Sequence, residues 1–288
     1  MFITPLPIFF GGAAPVFNPL TDGASSALLL WYDFSDGSTV LDSGGNPVTP
    51  DPEKPDGTDV YKVLDKSTSG ADLENYDSTV SLPSYDPGDA EFQANGLDGL
   101  ICSTDTLYNN GTTLTDTYKW TLLFCLRLEH VNDDERLRYV MSCGTSSSAG
   151  DSKARKPITE YYVDWMPYSN IQAVNQAANS TVDTYQNPFT ESPDTDTHVF
   201  AWKANFAGEP GVTSTVWYDD GETPVGTISE DYTLASALYN RFVIGSCPID
   251  NPSKGSNYTV FEVLFYDGLI ADADRELAFD YFKTKYGV

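Results

Sequence analysis

The segment 260–266 has the clearest hydrophobic pattern in the chain. Its alternating positions are largely apolar on both sides, with Phe261, Val263 and Phe265 on one face and Val260, Leu264 and Tyr266 among those on the other. The residues are rich in β-branched and aromatic types, which favour strands. Because a strand that is apolar on both faces needs cover on both sides, the pattern predicts an interior strand.

A second periodicity follows after the turn residues Asp267-Gly268. Leu277, Ala278, Tyr281 and Phe282 are spaced as one stripe of an amphipathic helix. Acidic residues precede this stripe and lysines follow it, as the helix dipole favours. We therefore predict a short C-terminal helix that stops at Gly287, a residue suited to a left-handed cap.

The remainder of the chain shows short strand patterns separated by turn residues. In 119–128, for example, Trp120, Leu122 and Phe124 share one face, while Leu123 and Cys125 lie on the other. Asp220-Gly221 lies between two strand patterns and predicts a hairpin. The other predicted strands are 27–34, 138–143, 161–165, 198–204, 213–219, 223–228 and 241–245.

Composition agrees with an all-β fold. The 288 residues include 22 Gly, 18 Pro, 18 Tyr and 15 Phe, and helical periodicity occurs only at the C-terminal end. A formal net charge of −26 repels phosphate backbones and anionic lipids, so we expect no nucleic-acid partner. No run is long enough to span a bilayer, and we expect no membrane insertion. The apolar N-terminus lacks a basic region and carries Pro5 and Pro7, so it does not read as a signal peptide.

Several motifs resemble those of concanavalin A-like, or laminin G-like, domains. They are the opening Trp31-Tyr32-Asp33-Phe34-Ser35-Asp36, the Asp65-Lys66-Ser67 turn, Pro83-Ser84-Tyr85, Asn95-Gly96-Leu97, and the ending Tyr281-Phe282 with Lys285-Tyr286-Gly287. The chain departs from that pattern by Thr68-Ser69, inserted before Gly70. The resemblance implies a two-sheet antiparallel jelly-roll sandwich with a short C-terminal helix. It is closest to domains common in virion proteins of tailed bacteriophages and in bacterial surface proteins.

The N-terminal segment 1–24 is predicted to be an extended arm, because its prolines disfavour a helix. We interpret it as an assembly element that docks on another subunit, with packing on its own domain as the alternative. Residues 25–288 then form the jelly-roll domain, which is expected to stay folded after deletion of 1–24. The large apolar side chains of the arm are Phe2, Ile3, Leu6, Ile8, Phe9, Phe10, Val16 and Phe17.

The sequence contains no constellation typical of catalysis. Glucanases of this fold carry a Glu-x-Asp-x-x-Glu strand, whereas no glutamate here has an aspartate two residues later. Glu262 stands alone in a core strand, and we interpret it as hydrogen-bonded to the backbone or facing a groove. No Gly-x-Ser-x-Gly elbow is present, and His130 and His198 are far apart. We predict that the protein is not an enzyme.

Some residues are candidates for binding. Exposed aromatic side chains beside polar groups suit sugars, and the candidates are Tyr161, Tyr162, Trp165, Tyr168, Trp217 and Tyr218. Calcium is a weak alternative at Asp133-Asp134 or at Asp194 with Asp196, since no complete calcium-binding loop occurs; no other cofactor is expected. The cysteines Cys102, Cys125, Cys143 and Cys247 are predicted to be buried free thiols, with a Cys125–Cys143 disulfide left open.

Two classes of function stay open. The first is a non-catalytic structural protein of a tailed-phage virion, assembled in the host cytoplasm: a capsid decoration, fibre or tail component that its arm anchors to other virion subunits. Such a protein is expected to be a homo-oligomer, for which a trimer is one arrangement. The alternative is a glycan-binding module or host-receptor adhesin, whose partner is a surface glycan.

Overall fold

The computed structural model describes most of the core strands and the C-terminal helix. Other residues, including 1–16, 104–118 and 145–154, lie outside the described part of the chain. The described ranges are 17–22, 27–49, 58–74, 84–86, 91–95, 100–103, 119–128, 138–144, 155–163, 169–175, 184–186, 196–205, 212–230, 241–244 and 257–288.

These residues form strands and one α-helix. The strands of the first half are β1 (Ala27–Asp33), β2 (Val40–Leu41), β3 (Thr58–Asp59), β4 (Lys62–Val63), β5 (Leu73–Glu74), β6 (Ser84–Asp86), β7 (Glu91–Asn95), β8 (Leu100–Ser103), β9 (Lys119–Leu128) and β10 (Arg138–Gly144). Those of the second half, with the helix, are β11 (Arg155–Val163), β12 (Ser169–Asn175), β13 (Thr184–Gln186), β14 (Thr197–Asn205), β15 (Val212–Tyr218), β16 (Pro224–Glu230), β17 (Arg241–Ile244), β18 (Asn257–Asp267) and α1 (Asp272–Tyr286).

The strands form two sheets. In the first sheet the order is β16-β15-β14-β9-β18-β7-β6-β3, and β1 pairs with β18 beside that path. In the second sheet the order is β13-β12-β11-β10-β17-β8-β5-β4-β2. Every pairing among the described strands is antiparallel, as the sequence predicts.

The two ends of the chain are adjacent in the first sheet. Strand β1 pairs with β18, with Trp31 opposite Leu264 and Asp33 opposite Glu262. This confirms the predicted closeness of 27–34 and 259–266. The outer edge of β1 is covered by the 65–67 turn, where Asp65 accepts the Trp31 backbone N–H at 2.8 Å and Lys66 N–H donates to the Trp31 carbonyl at 2.8 Å. The turn therefore prevents β1 from pairing with another chain there.

Both faces of the first sheet are buried, as the alternation in β9 and β18 predicts. One face carries an aromatic cluster in which Trp120 stacks on Phe265, with ring centroids 5.9 Å apart, and meets Trp202 edge-on at 5.1 Å. Helix α1 covers the other face, where Leu123 and Leu264 pack with Phe282. The predicted helix is confirmed, and Gly287 ends it in the left-handed conformation at φ 74°.

The end of the predicted arm belongs to this core. Phe17 is 3% exposed, and its ring lies 5.9 Å from that of Tyr281. The Pro19 carbonyl accepts the Tyr266 hydroxyl at 3.1 Å. Phe17 thus packs on its own domain, the alternative to partner docking, because α1 and β18 leave an apolar site for its ring. The other arm residues, Phe2, Ile3, Leu6, Ile8, Phe9, Phe10 and Val16, lie outside the described residues.

No helix in the described part of the chain has the length and apolar character needed to cross a bilayer.

Candidate functional site

The most concentrated group of polar side chains surrounds Glu262 on β18. The carboxylate is buried, and four side chains donate to it. They are the Trp31 indole N–H at 2.8 Å, the Tyr281 hydroxyl at 3.1 Å, the Tyr286 hydroxyl at 2.7 Å and the Lys285 ammonium at 2.7 Å. Four donors use the accepting capacity of a carboxylate, so the geometry fits the ionised form of Glu262.

A second carboxylate shares the same ammonium group. Asp33 Oδ1 lies 2.8 Å from Lys285 Nζ, and its Oδ2 lies 2.9 Å from Lys66 Nζ. Lys66 also reaches Asp36 at 3.1 Å and lies over the Trp31 ring, 4.6 Å from its centroid. Asp33, Glu262, Lys66 and Lys285 therefore form an alternating chain of opposite charges, which we call the Lys285 cluster together with Trp31, Asp36, Tyr281 and Tyr286.

Local structure explains why these residues meet. Asp33 and Glu262 are direct partners in the β1–β18 register. The backbone bond between Lys66 and Trp31 brings the 65–67 turn to the edge of β1. On α1, Tyr281 and Lys285 are four residues apart and so lie on one face of the helix, over β18.

Burial and charge shift the pKa values within the cluster. Burial, followed by the nearby charge of Asp33, raises the pKa of Glu262 above its usual range. Burial opposes ionisation of Asp33, but hydrogen bonds from Lys285, Ser35 and Lys66 outweigh it and hold the pKa of Asp33 low. Burial and then the Glu262 charge raise the pKa values of Tyr281 and Tyr286, so both hydroxyls keep their protons and act as donors.

The Lys285 cluster is suited to fastening the fold and not to chemistry. Glu262 is 0% exposed and its oxygens are occupied by donors of its own chain, so a substrate has no access to it. The interpretation of Glu262 as bonded to the backbone or facing a groove is wrong: its partners are side chains. Nor is it isolated, since Asp33 shares Lys285 with it.

A second polar group lies at the β15–β16 hairpin, which the structure confirms at Asp220-Gly221. Asp219 has a φ of 52° and accepts the Val199 backbone N–H at 2.8 Å. Its other oxygen lies 2.7 Å from His198 Nδ1. The hairpin also contacts α1, where Arg275 Nε donates to the Gly221 carbonyl at 2.7 Å. The bonds of Asp219 hold the hairpin to β14, and the Arg275 bond holds it to α1.

Two of the predicted sugar-binding aromatics lie in this region, and one of them is inaccessible. Trp217 is 7% exposed and belongs to the core cluster. The Arg275 guanidinium covers its ring at 4.2 Å from the centroid, so the indole offers no face to a sugar. Tyr218 is half-buried, and its ring lies 4.7 Å from that of His198 and 5.0 Å from that of Phe200.

The other predicted aromatics belong to the second sheet or to the loop between its strands. Tyr161 and Tyr162 lie on β11, where Tyr161 is opposite Ile171 of β12 and Tyr162 is opposite Asn170. Trp165 and Tyr168 lie outside the described residues, in the connection between β11 and β12. The structure thus separates the predicted set, with Tyr161 and Tyr162 in one sheet and Trp217 and Tyr218 in the other.

The described residues offer no ready metal site. Among them, no group of three or more His, Cys, Asp or Glu side chains is arranged to hold an ion. Asp196 is exposed, whereas Asp133, Asp134 and Asp194 fall outside the described ranges. Cys125 is a buried free thiol, and burial raises its pKa.

The sequence interpretation missed the Lys285 cluster as a unit. All its members except Glu262 occur in three motifs that resemble one family, namely the Trp31–Asp36 opening, the 65–67 turn and the Tyr281–Gly287 ending. The available signal was the charge pattern within those motifs, where Asp33 is an acidic residue between the aromatic residues Tyr32 and Phe34. Only the fold reveals that the three motifs meet around Glu262.

Comparisons with known proteins give matches in structure alone. No protein-family model matches the chain. No curated protein matches its sequence.

Solved structures share the fold at low sequence identity. The binding domain of botulinum neurotoxin DC, in complex with rat synaptotagmin II, matches with a TM-score of 0.53 at 12% identity over 76% of this chain and 48% of that one. A Trypanosoma rangeli sialidase matches with a TM-score of 0.53 at 11% identity over 88% of this chain and 32% of that one.

A botulinum neurotoxin type C structure, described as dependent for cell entry on two ganglioside molecules, matches with a TM-score of 0.52 at 13% identity, over 76% of this chain and 48% of that one. The chain thus spans half or less of the length of these structures. At such identities the likeness concerns the fold alone.

Proposed function

We propose that the chain is a non-catalytic glycan-binding module of the adhesin type. The observation that carries the proposal is the placement of Tyr162 on β11, directly beside the amide-rich strand β12. Tyr161 is opposite Ile171 and, as the next residue of the strand, belongs to the other face of the sheet. Tyr162 is opposite Asn170, and Glu160 is opposite Gln172. Sugar sites combine aromatic side chains with a few amide and carboxylate groups, and these residue types are adjacent here.

The position of these strands in the sheet also supports the proposal. Strands β11 and β12 lie near one end of the second sheet, with only β13 beyond them in the strand order. The connection between them adds Trp165 and Tyr168 to the same sequence region. The structural neighbours agree in kind, because one is a neurotoxin whose cell entry is dependent upon interaction with two ganglioside molecules and another is a sialidase in complex with a difluoro-nononic acid.

The test is a glycan array followed by titration calorimetry with any glycan that binds. We expect the Tyr162→Ala and Trp165→Ala variants each to weaken binding roughly tenfold, since stacked aromatic side chains dominate such contacts. Thermal unfolding of each variant separates loss of the site from loss of the fold.

Tyr61→Ala is the matched control, because Tyr61 is 40% exposed and lies between β3 and β4, away from β11 in the chain. The control should bind as the unchanged protein does. An array without any hit, or equal losses in Tyr61→Ala and Tyr162→Ala, would disprove the proposed site.

We propose that the two sheets pack as a jelly-roll sandwich of the concanavalin A-like kind, which the antiparallel order and the pairing of β1 with β18 support. We also propose that the domain begins at residue 17 and not at residue 25, because Phe17 and Pro19 contact the core. The proposed arm is then 1–16.

A structural role in a phage virion is the second candidate, and the motif resemblance favours it. In this role the arm docks on other virion subunits, in a homo-oligomer such as a trimer. Deletion of 1–16 then leaves a folded domain that no longer joins the particle or oligomer, which electron microscopy and light scattering can measure. Unchanged assembly after this deletion would remove the arm's anchoring role.

A further inference from the structure

Glu262 is closed to substrates from outside the chain, but an amine of the same chain already touches it. Its side chain is 0% exposed, and Lys285 Nζ lies 2.7 Å from Oε2. A nitrogen at that distance from a carboxyl oxygen is about 3.5 Å from the carboxyl carbon, which is a near-attack separation. The pair is therefore held where an amide bond can form between two side chains.

The two oxygens of Glu262 have different surroundings. Oε1 accepts the Trp31 indole N–H at 2.8 Å, and the Tyr281 hydroxyl lies 3.1 Å from each oxygen. Donors fixed on one carboxyl oxygen stabilise the negative charge that develops there when a nucleophile attacks the carbon. Oε2 faces the Lys285 ammonium and the Tyr286 hydroxyl, at 2.7 Å each, so proton donors surround the oxygen that leaves in such a reaction.

Asp33 supplies the base that amide formation needs. Its Oδ1 lies 2.8 Å from Lys285 Nζ. Burial opposes its ionisation, but hydrogen bonds from Lys285, Ser35 and Lys66 hold its pKa low, so it stays a carboxylate. Burial has the opposite result at Glu262, where the raised pKa favours the protonated carboxyl group, which is the better electrophile. One lysine thus contacts a base and an electrophile at the same time.

We propose that Lys285 and Glu262 join in an isopeptide bond, formed by the folded chain itself, between Nζ of the lysine and Cδ of the glutamate. The ammonium first gives one proton to Oε2, and the neutral amine attacks Cδ. A second proton leaves the nitrogen for Asp33 Oδ1, which passes it to Oε2. The Cδ–Oε2 bond then breaks, and the oxygen leaves as water. An ammonium and a carboxylate are converted into one amide and one water molecule, without another reactant.

The surroundings also suit the product. The amide oxygen, Oε1, keeps its indole and hydroxyl donors, and the amide N–H lies beside Asp33 Oδ1. Tyr286 loses Oε2 as an acceptor, but its hydroxyl also lies 3.4 Å from the Phe261 carbonyl. Asp33 keeps a counter-charge in Lys66 at 2.9 Å. The bond therefore replaces a fully buried charge by a neutral amide whose polar atoms have partners, which removes a cost of desolvation.

The bond fastens the C-terminal helix to the first sheet. Glu262 is on β18 and Lys285 is in the last turn of α1. An ion pair at this place opens whenever α1 separates from β18, whereas an amide persists in the unfolded chain and restricts it. The salt bridge of the Lys285 cluster is the state from which the bond forms. This inference goes beyond the proposed glycan site and does not depend on it.

Tandem mass spectrometry of the full chain, incubated at neutral pH and then denatured and digested, tests the bond. Trypsin cleaves after Lys254, Arg275 and Lys283, so the bond joins peptides 255–275 and 284–288 with the loss of one water. We expect this linked pair to accumulate with time of incubation. The mass of the whole chain is not a sufficient readout, because a succinimide at an Asp-Gly pair also releases one water.

Two lysine variants serve as the matched pair. Lys285→Arg keeps the positive charge but has no nucleophilic amine, and it should give no linked peptides. Lys283→Arg leaves the cluster and the trypsin site intact, and it should react as the unchanged protein does. Absence of the linked pair after prolonged incubation of the folded, unchanged protein would overturn the proposal. A bond from Lys285 to the N-terminal tryptic peptide, which contains Asp33, would overturn the assignment of Glu262.

The rate of bond formation tests the roles of the neighbours. Asp33→Asn removes the base and should slow accumulation of the linked pair roughly a hundredfold. Trp31→Phe removes one donor to Oε1 and should slow it roughly tenfold or more. Circular dichroism establishes that each variant is folded before its rate is compared. Unchanged rates in both folded variants would contradict the reaction as written.

Discussion

The ammonium group of Lys285 lies 2.7 Å from Oε2 of Glu262. The same nitrogen lies 2.8 Å from Asp33 Oδ1, so one lysine near the C-terminus joins the first and last core strands. Its side chain is 24% exposed, whereas Glu262 is fully buried. Because a buried carboxylate without a counter-charge is costly, Lys285 holds the C-terminal helix in place on the first sheet.

Lys285→Met should strongly destabilise the protein. It leaves Asp33 and Glu262 without their shared cation, and we expect a loss of roughly 3 kcal/mol in the free energy of unfolding, measured by chemical denaturation. Lys283→Met is the matched control, since Lys283 is in the same helical turn outside the cluster and should change stability by less than about 0.5 kcal/mol. Equal effects of the two variants would contradict the role of Lys285.

The two carboxyl groups should affect the pH dependence of stability with opposite signs. The low pKa of Asp33 gives stability that is present above its unfolded value of about 3.9 and lost as pH falls through the folded pKa. The raised pKa of Glu262 gives stability that is present below about 4.3 and lost as pH rises through the folded pKa.

Denaturation curves between pH 2 and 7 can separate these contributions. Asp33→Asn should flatten the decline on the acid side, and Glu262→Gln should flatten the change above about pH 4.3. Exposed Asp280→Asn is the control and should leave both parts of the profile unchanged. A profile that Asp33→Asn leaves unaltered would show that its salt bridges do not contribute in solution.

Phe17→Ala should reveal that the domain begins before β1. Removing a ring that is 3% exposed should cost about 3 kcal/mol in unfolding free energy. Leu20→Ala is the control from the same turn, where Leu20 is 54% exposed, and should cost less than about 0.5 kcal/mol. Should both variants be as stable as the unchanged protein, Phe17 does not belong to the core.

Gly221→Ala should loosen the contact between the β15–β16 hairpin and α1. An added Cβ would lie 3.2 Å from Cα of Glu276 and 3.2 Å from Cβ of Phe279, so the helix or the hairpin must shift. We expect a loss of about 1–3 kcal/mol in unfolding free energy. Glu222→Ala, at an exposed neighbouring position, should be nearly neutral. If hydrogen exchange in α1 becomes faster in Gly221→Ala and not in Glu222→Ala, the loss of stability arises at the contact between the hairpin and α1.

Cys125 should resist thiol reagents while the protein is folded. It is buried, and burial together with the charge of Glu262 raises its pKa, which disfavours the reactive thiolate. Peptide mapping after iodoacetamide treatment should find Cys125 unmodified in the native protein and modified after denaturation. Modification in the native state would indicate local opening around β9.

Local patterns were sufficient to predict much of the fold. The period-two pattern from Val263 to Tyr266 and the helical spacing from Leu277 to Phe282 match β18 and α1, because each element must bury apolar side chains at its own period. The prediction that Phe261 shares a face with Val263 and Phe265 is wrong, because the register shifts between Val260 and Glu262 and Phe261 packs on the helix side with Leu264 and Tyr266. Asp220-Gly221 likewise marked a hairpin through its turn chemistry. The family-like motifs at both ends predicted that β1 and β18 are close together.

The binding residues were harder to predict, because aromatic residues in strands serve cores and ligands alike. Trp217 looked like a sugar contact in sequence, yet it is buried and the Arg275 guanidinium lies over its ring. Arg275 is distant from Trp217 along the chain, and no local pattern reports which side chain will cover another. The same limitation applies to Phe17, whose apolar neighbours suggested an arm while its ring fills a site on α1 and β18.

By itself, the sequence determined the element types, the antiparallel β character and the terminal helix, since these depend on periodicity and turn residues within short segments. The tertiary structure alone decided that Asp33, Lys66, Glu262 and Lys285 form one cluster. Such contacts depend on strand order and register, which bring distant segments within reach of each other. A charged side chain acquires its partner, its burial and its shifted pKa only once those segments meet.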